Sequence, residues 1–190
     1  MGQEGRGGGA MVRLFVAIDF PAGLRERLRT PQEILKQSRA RLSLVDPAII
    51  HITLKFIGEV PPERVEQIIP ALETISVEPF DLRITGIGSN NPRKPRVIWC
   101  TIEDAGKSAA LHDRIEAVLE PFGVPREGRA FRPHATLARV KQYDSSLTVL
   151  LRDIPYEDFG SCTVRSWQLK KSILTPQGPV YETILEVPCA

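Results

Sequence analysis

The stretch Ile50-His51-Ile52-Thr53-Leu54-Lys55-Phe56-Ile57-Gly58 contains a pattern, His-x-Thr-Leu, that returns once in the chain, at His134-Ala135-Thr136-Leu137. The chain has only three histidines, and two of them stand at the head of this pattern. With ordinary residue usage, such a coincidence is roughly a one-in-ten-thousand event. We therefore interpret the two copies as the functional signal and the rest of the chain as their support.

Each copy has the alternation of a half-buried strand, in which residues two apart share a face. His51, Thr53 and Lys55 are predicted on one face, with an apolar stripe behind them. His134 and Thr136 line up in the same way. The apolar stripes are expected to lie under helices, and the His/Thr faces are expected to line a groove.

Supporting elements follow at regular intervals. Strands are expected at 13–19, 50–57, 80–88, 96–102, 131–140, 159–174 and 180–187, and helices at 21–40, 61–75, 104–122 and 145–153. The motif histidines are 134 − 51 = 83 residues apart, and the same shift superposes the first strand and helix on later ones. This order predicts an α+β protein of two similar lobes, with two mainly antiparallel sheets flanking a central cleft and helices outside.

Composition limits the class of protein. The 190 residues are 42% hydrophobic and 25% charged, which suits a globular protein. The net charge of +2 is lower than is usual for a protein that coats RNA. No apolar run is long enough to span a membrane. Residues 1–10 are glycine-rich and are expected to form a flexible tail, so that residues 11–190 form one bilobal domain with a pseudo-twofold repeat.

The three cysteines have no metal-site spacing, and their odd number argues against a disulfide framework. They are expected to be ordinary thiols in a reducing cytoplasm. Zinc normally takes three or four protein ligands, and neither motif histidine has an acidic residue or cysteine at ligand spacing. We expect neither a metal nor another cofactor.

Two imidazoles across a groove suit acid–base chemistry on an anion. A neutral imidazole can take a proton from water, and an imidazolium can give one to a leaving oxygen. The threonine hydroxyls can hold phosphate oxygens. The alternative, two structural histidines in half-buried strands, is disfavoured by the duplication of the whole pattern.

Three further features carry a specific resemblance: the leading strand Arg13 to Ile18, the continuation of the second motif to Ala138-Arg139, and the ending Leu174-Thr-Pro-Gln-Gly-Pro-Val-Tyr181. From about Met11 onward, the chain resembles the 2H phosphoesterase superfamily. Within that superfamily it is most similar to the RNA 2′,3′-cyclic phosphodiesterases, first named 2′-5′ RNA ligases. The resemblance implies a LigT-like bilobal fold and metal-independent opening of a terminal 2′,3′-cyclic phosphate to a 2′-phosphomonoester.

The resemblance also implies roles for individual residues. His51 would donate a proton to the departing 3′ oxygen, and His134 would be the base that activates water. Three residues would bind the phosphate: Thr53, Thr136 and Arg139. Phe15 would stack on the terminal base. The partner would be an RNA end or oligonucleotide carrying the cyclic phosphate, and the protein is expected to act as a monomer.

Several alternatives stay open. Alternation puts Arg139 opposite His134, unless the strand ends or bulges near Ala138. Lys55 and Arg132 are either phosphate contacts or solvated charges, and the basic loop 93–96 either follows RNA phosphates or is simply solvated. The reaction could instead join or cleave 2′-5′ RNA linkages, or the protein could bind RNA ends without catalysis. His112 is expected at the surface, and Trp99 and Trp167 in the core.

Overall fold

The computed structural model describes residues 10–153, 158–176 and 178–190. Residues 1–9, in the predicted flexible tail, and Gln177, in the predicted final turn, lie outside the described residues. The strands within these ranges are β1 (Val12–Asp19), β2 (Arg41–Leu44), β3 (His51–Val60), β4 (Phe80–Ser89), β5 (Val97–Glu103), β6 (His134–Gln142), β7 (Gly160–Val164), β8 (Ser166–Thr175) and β9 (Gly178–Pro188). The helices are α1 (Ala22–Arg27), α2 (Arg29–Leu35), α3 (Pro62–Glu73), α4 (Lys107–Leu119) and α5 (Ser145–Asp153).

All pairings between the described strands are antiparallel, in the order β7-β4-β5-β6-β3-β1-β8-β9, with β2 also paired to β6. The predicted α+β class is confirmed. The two predicted sheets, however, are halves of one curled sheet, because Ile52 of β3 pairs with Ala135 of β6. That bridge joins β3-β1-β8-β9 to β6-β5-β4-β7 at the two motif strands.

The strand order is the same in the two halves of the sheet. β1 lies between β3 and β8, and β5 lies between β6 and β4. Adding 83 to residues 80–89 of β4 gives 163–172, which is most of β8. β4, which follows the first motif along the chain, therefore lies in the half of the sheet that contains the second motif. Likewise β8, which comes after the second motif, lies in the half that contains the first. Each half of the sheet contains a strand from the other half of the chain.

The core lies against the apolar faces of the sheet. Leu14, Val16 and Ile18 of β1 are buried in it, as the alternation predicts, and Trp167 is fully buried. The predicted helix 21–40 is instead two short helices that meet at Leu28 and end by Lys36. The sequence prediction missed β2, whose four residues pair with the edge of β6.

Candidate active site

The single bridge between β3 and β6 brings the two motifs together. Ile52 and Ala135 are fully buried and paired. Their sequence neighbours project to the opposite face, as neighbours in a strand must. His51 and Thr53 therefore lie beside His134 and Thr136 on one face, and all four side chains are partly exposed there. The structure thus brings together the four residues that the repeated pattern singled out.

A β-bulge falls on the last residue of each motif. In β3, Ala17 pairs with Thr53 but Val16 pairs with Lys55, so Leu54 is the extra residue. In β6, Trp99 pairs with Thr136 but Ile98 pairs with Ala138, so Leu137 is the extra residue. A bulge of this kind interrupts strict alternation and reverses the faces of the residues after it. Leu54 with Lys55, and Leu137 with Ala138, are consequently buried as consecutive pairs.

The second bulge settles the orientation of Arg139. Because Leu137 and Ala138 both face the core, the exposed Arg139 returns to the face of His134. The same shift overturns the prediction for Lys55, which is 2% exposed and points away from the cleft. Phe56 occupies the position that corresponds to Arg139, since 56 + 83 = 139, and its side chain is 66% exposed. The cleft therefore has an arginine on one side and an aromatic ring on the other.

Each motif histidine is oriented by its own backbone. The Nδ1 atom of His51 lies 2.8 Å from the carbonyl oxygen of Ile49, and that of His134 lies 2.8 Å from the carbonyl oxygen of Arg132. A carbonyl oxygen can only accept, so Nδ1 carries the hydrogen in both rings. In the neutral rings Nε2 is therefore the basic atom. The Nε2 atom of His51 lies 3.0 Å from the Thr53 hydroxyl.

Charged neighbours distinguish His51. Burial lowers the pKa of His51, while its hydrogen bond to Ile49 and the carboxylate of Asp19 act in the opposite direction. Asp19 is paired with His51 across β1 and β3. Its carboxylate accepts from Lys170 at 2.7 Å and faces Arg25 at 3.6 Å, and both cations lower the pKa of His51 further. Burial, with a smaller contribution from the two cations, therefore favours a neutral His51 in the free protein.

Phe15 lies behind His51 rather than in the open cleft. Its side chain is 3% exposed, and its ring centroid is 5.0 Å from that of His51 and 4.9 Å from that of Tyr181. A ring so enclosed has no free face for a base, which overturns the predicted stacking role in this conformation. Phe15 instead packs against the imidazole ring of His51 and helps to hold it in place.

Two aromatic residues at the site were missed by the sequence prediction. The Tyr181 ring meets the His51 ring edge-on, with centroids 5.3 Å apart. Burial raises the pKa of Tyr181, and the positive charge of Arg139 acts in the opposite direction. Trp99, expected in the core, is partly exposed, with its ring 4.9 Å from that of His134. The segment ending in Tyr181 was part of the family resemblance, but no sequence pattern indicated that β9 would bring this ring to His51.

The third histidine is buried, which contradicts the surface prediction. His112 on α4 is 3% exposed, and its Nδ1 donates to the carbonyl oxygen of Leu54 at 2.8 Å. Its position could have been predicted, because His112 lies three residues before Ile115 and seven before Leu119 on the buried face of the helix.

Within 10–153, 158–176 and 178–190, no three His, Cys, Asp or Glu residues converge in a group that could hold a metal ion. None of the helices in these ranges is long and apolar enough to cross a membrane.

Comparison with known proteins agrees with this geometry. The family model for LigT-like phosphoesterases matches residues 18–99 and 103–181, so that each matched part contains one motif. The chain belongs to the LigT-like phosphoesterase family. Two curated relatives are each named RNA 2′,3′-cyclic phosphodiesterase. The Archaeoglobus fulgidus protein is 35% identical over 91% of this chain and 98% of its own length, and the Aeropyrum pernix protein is 36% identical over 86% and 96%.

Solved structures give the same assignment of fold. The structure of TT0787 from Thermus thermophilus matches with a TM-score of 0.79 and 29% identity, over 93% of this chain and 97% of that one. Escherichia coli LigT in its apo form matches with a TM-score of 0.79 and 24% identity, over 96% of this chain and 99% of that one. The LigT-like fold is therefore shared along nearly the whole chain.

Proposed function

We propose that this LigT-like phosphoesterase hydrolyses the 2′,3′-cyclic phosphate at an RNA end and leaves a 2′-phosphomonoester. The observation that carries the proposal is the set of two histidines and two threonines around the Ile52–Ala135 bridge. In each histidine a backbone carbonyl holds Nδ1, which leaves Nε2 as the atom that can accept or donate a proton in the reaction. Relatives that cover more than 85% of the chain are named for this activity. We further propose that no metal ion takes part.

His134 would act as the general base. Its Nε2 takes a proton from water as the water oxygen attacks phosphorus, and the bond from phosphorus to the 3′ oxygen breaks. His51, as imidazolium, gives its Nε2 proton to that oxygen, which leaves as the 3′-hydroxyl. The carbonyl that accepts from each Nδ1 keeps the ring oriented and stabilises it when protonated. After one turnover the two histidines have exchanged protonation states, and solvent restores them.

The phosphate would be held by neutral and charged donors together. The Thr53 and Thr136 hydroxyls can donate to the non-bridging oxygens, and the Arg139 guanidinium adds positive charge where negative charge develops. With Phe15 buried, we propose that the terminal base rests on the exposed Phe56 and the partly exposed Tyr181. Stacking on such rings tolerates any base.

The lowered pKa of His51 opposes its role as the acid. Burial lowers its pKa, whereas an acid must carry a proton. A bound cyclic phosphate is an anion beside the ring, and it raises the histidine pKa in the complex. Proton uptake by His51 on substrate binding is therefore part of the proposal.

A second candidate reaction is the joining or cleavage of 2′-5′ RNA linkages. Trp99, beside the proposed base His134, favours it, because an indole on the side of the attacking oxygen could stack a second nucleoside in place of water. The same acid–base pair would serve both reactions. RNA with a free 5′-hydroxyl, added to the cyclic phosphate, would yield a 2′-5′ linked product if this second reaction occurs.

The proposed setting is a single domain, residues 11–190, acting as a monomer in the cytoplasm. A single hydrophobic core runs through the described residues, which supports one domain. The three cysteines are free thiols, which supports a reducing compartment.

The deciding experiment offers RNA with a terminal 2′,3′-cyclic phosphate to the wild type, His51→Ala and His134→Ala, and identifies the product phosphate. A 2′-phosphate from the wild type, with losses of about 10²- to 10⁴-fold in both variants, is expected. A 3′-phosphate, or an untouched substrate, contradicts the proposal.

A modified substrate separates the two roles. Replacing the 3′ oxygen by sulfur gives a leaving group that departs as thiolate and needs no acid. His51→Ala should recover most of the wild-type rate on this substrate, while His134→Ala should not. If His134→Ala recovers the rate on this substrate and His51→Ala does not, then His134 is the acid and His51 is the base.

A further inference from the structure

A buried charged cluster lies behind the first motif strand. The bulge turns Lys55 into the protein, where its Nζ donates to Glu116 Oε1 and, at 2.8 Å, to the carbonyl oxygen of Pro125. The side chain of Lys55 is 3% exposed and that of Glu116 is 7% exposed. The equivalent position in the second motif is Ala138, so the repeat itself does not require a charge here. An ion pair taken out of water is costly and weak as a stabilising device, which calls for another explanation.

Glu116 extends this cluster to the segment before the second motif. Its two carboxylate oxygens accept from the backbone N–H of Glu127 at 3.0 and 3.1 Å. Burial acts to raise the pKa of Glu116, but the hydrogen bonds from Lys55 and Glu127 outweigh it, so that the pKa lies below its usual value. The ionised carboxylate therefore fastens Glu127 and Lys55 to the same point of α4.

His112, one turn earlier on α4, makes a second connection of the same kind. Its Nδ1 donates to Leu54, the extra residue of the bulge directly after Thr53. Its ring stacks on Phe131, with centroids 4.5 Å apart and planes at 13°. Phe131 comes three residues before His134.

These contacts matter because the two motif strands share little direct backbone pairing. β3 and β6 share only the Ile52–Ala135 pair among the described residues. Residues 124–133, which lead into His134, form no helix or strand, and 125–130 are exposed. Misplacement by about 1 Å can cost a reaction about 10²-fold.

We propose that Lys55, Glu116 and His112 form a positioning cluster, which fixes the distance between His51 and His134 by fastening the segment before the second motif to the bulge at the end of the first. The cluster does not touch the substrate, and its role rests on the function proposed for the two histidines. Because the two threonines move with the histidines, breaking the cluster should weaken phosphate binding to a small extent and lower the rate of the chemical step much more.

The test variant is Lys55→Met/Glu116→Gln, which removes both charges and keeps an acceptor for Glu127. Its matched control is Arg126→Met/Glu120→Gln, an exposed pair at 3.0 Å in the same region. In the test variant we expect kcat to fall about 10- to 100-fold. The Kd for adenosine 2′-monophosphate should rise far less than kcat falls, and the melting temperature should stay close to wild type. The control should keep its kcat within about twofold.

A general loss of structure is excluded by repeating the substitution in the His51→Ala background. Residues that act through one another are not additive, so the cluster variant should cost less than about threefold there. An equal loss in both backgrounds, or wild-type kcat in the folded variant, overturns the proposal. If the double variant does not fold, His112→Asn decides by the same criteria, because its amide still donates to Leu54 while the stack on Phe131 is lost.

The two proposals fail differently. Turnover that survives His51→Ala and His134→Ala would refute the catalytic roles themselves. Loss of turnover in those variants, with full kcat in the folded cluster variant, would refute only the positioning role.

Discussion

Phe15 distinguishes a ring that supports the site from a ring that binds a base. Its side chain is 3% exposed and packs against His51 and Tyr181. Truncating a buried phenylalanine to alanine costs about 3–5 kcal/mol in the free energy of unfolding. At about 2–4 °C per kcal/mol for a chain of this size, Phe15→Ala should lower the melting temperature by about 6–20 °C. Phe15→Leu, which keeps most of the packing, should cost no more than about 1.5 kcal/mol.

Thermal unfolding and steady-state kinetics on cyclic-phosphate RNA, measured for both variants, separate the two roles. If Phe15 supports His51, Phe15→Leu keeps a KM near wild type, because the base never touched the ring. If Phe15 stacks on the base, both variants lose about 1–3 kcal/mol of binding, which raises KM about 5- to 150-fold. A large rise in KM for Phe15→Leu, with an unchanged melting temperature for Phe15→Ala, would refute the supporting role.

Three further predictions concern charge and metal. Arg139→Gln should lower kcat/KM about 10- to 150-fold, which corresponds to the loss of a hydrogen bond to a charged group worth about 1.5–3 kcal/mol. Arg41→Gln, which changes an exposed arginine on β2, should alter kcat/KM little. If the two variants lose the same amount of kcat/KM, Arg139 lies outside the site. Because the folded pKa of His51 lies below 6.5, the unfolded chain binds more protons as the pH falls through that value, and stability declines there. The difference in unfolding free energy between wild type and His51→Gln, from denaturant titrations, should therefore be smaller at pH 5 than at pH 8, whereas a constant difference would contradict the assignment. Turnover should persist in excess EDTA, and its loss, restored by an added divalent ion, would refute the metal-free mechanism.

Sequence alternation predicted the motif strands and the shared face of His51 with Thr53, because regular pleating holds over those three residues. It failed two residues later. The bulge at Leu54 sends Lys55 into the protein and Phe56 into the cleft. A bulge arises from pairing with the neighbouring strand, and the local residues carry no signal for it. For Arg139 the resemblance and strict alternation disagree, and a bulge near Ala138 reconciles them.

Tertiary placement explains the remaining differences. His112 was predicted at the surface because Asp113 and Arg114 follow it, yet helical spacing puts His112 on the buried face and its neighbours outside. Tyr181 reaches His51 through the pairing of β9 with β8, of β8 with β1 and of β1 with β3. No local pattern encodes contacts across three strands. The exchange of β4 and β8 between the halves of the sheet is equally a property of the whole chain.

The central claim is that the two motifs are halves of one site. Single-turnover rates for the wild type, His51→Ala, His134→Ala and the double variant test it most directly. Groups that act in one proton-transfer step are not additive, so the double variant should be about as slow as the slower single variant. Losses that multiply, or a single variant that keeps the wild-type rate, would show that the two histidines do not work as a pair.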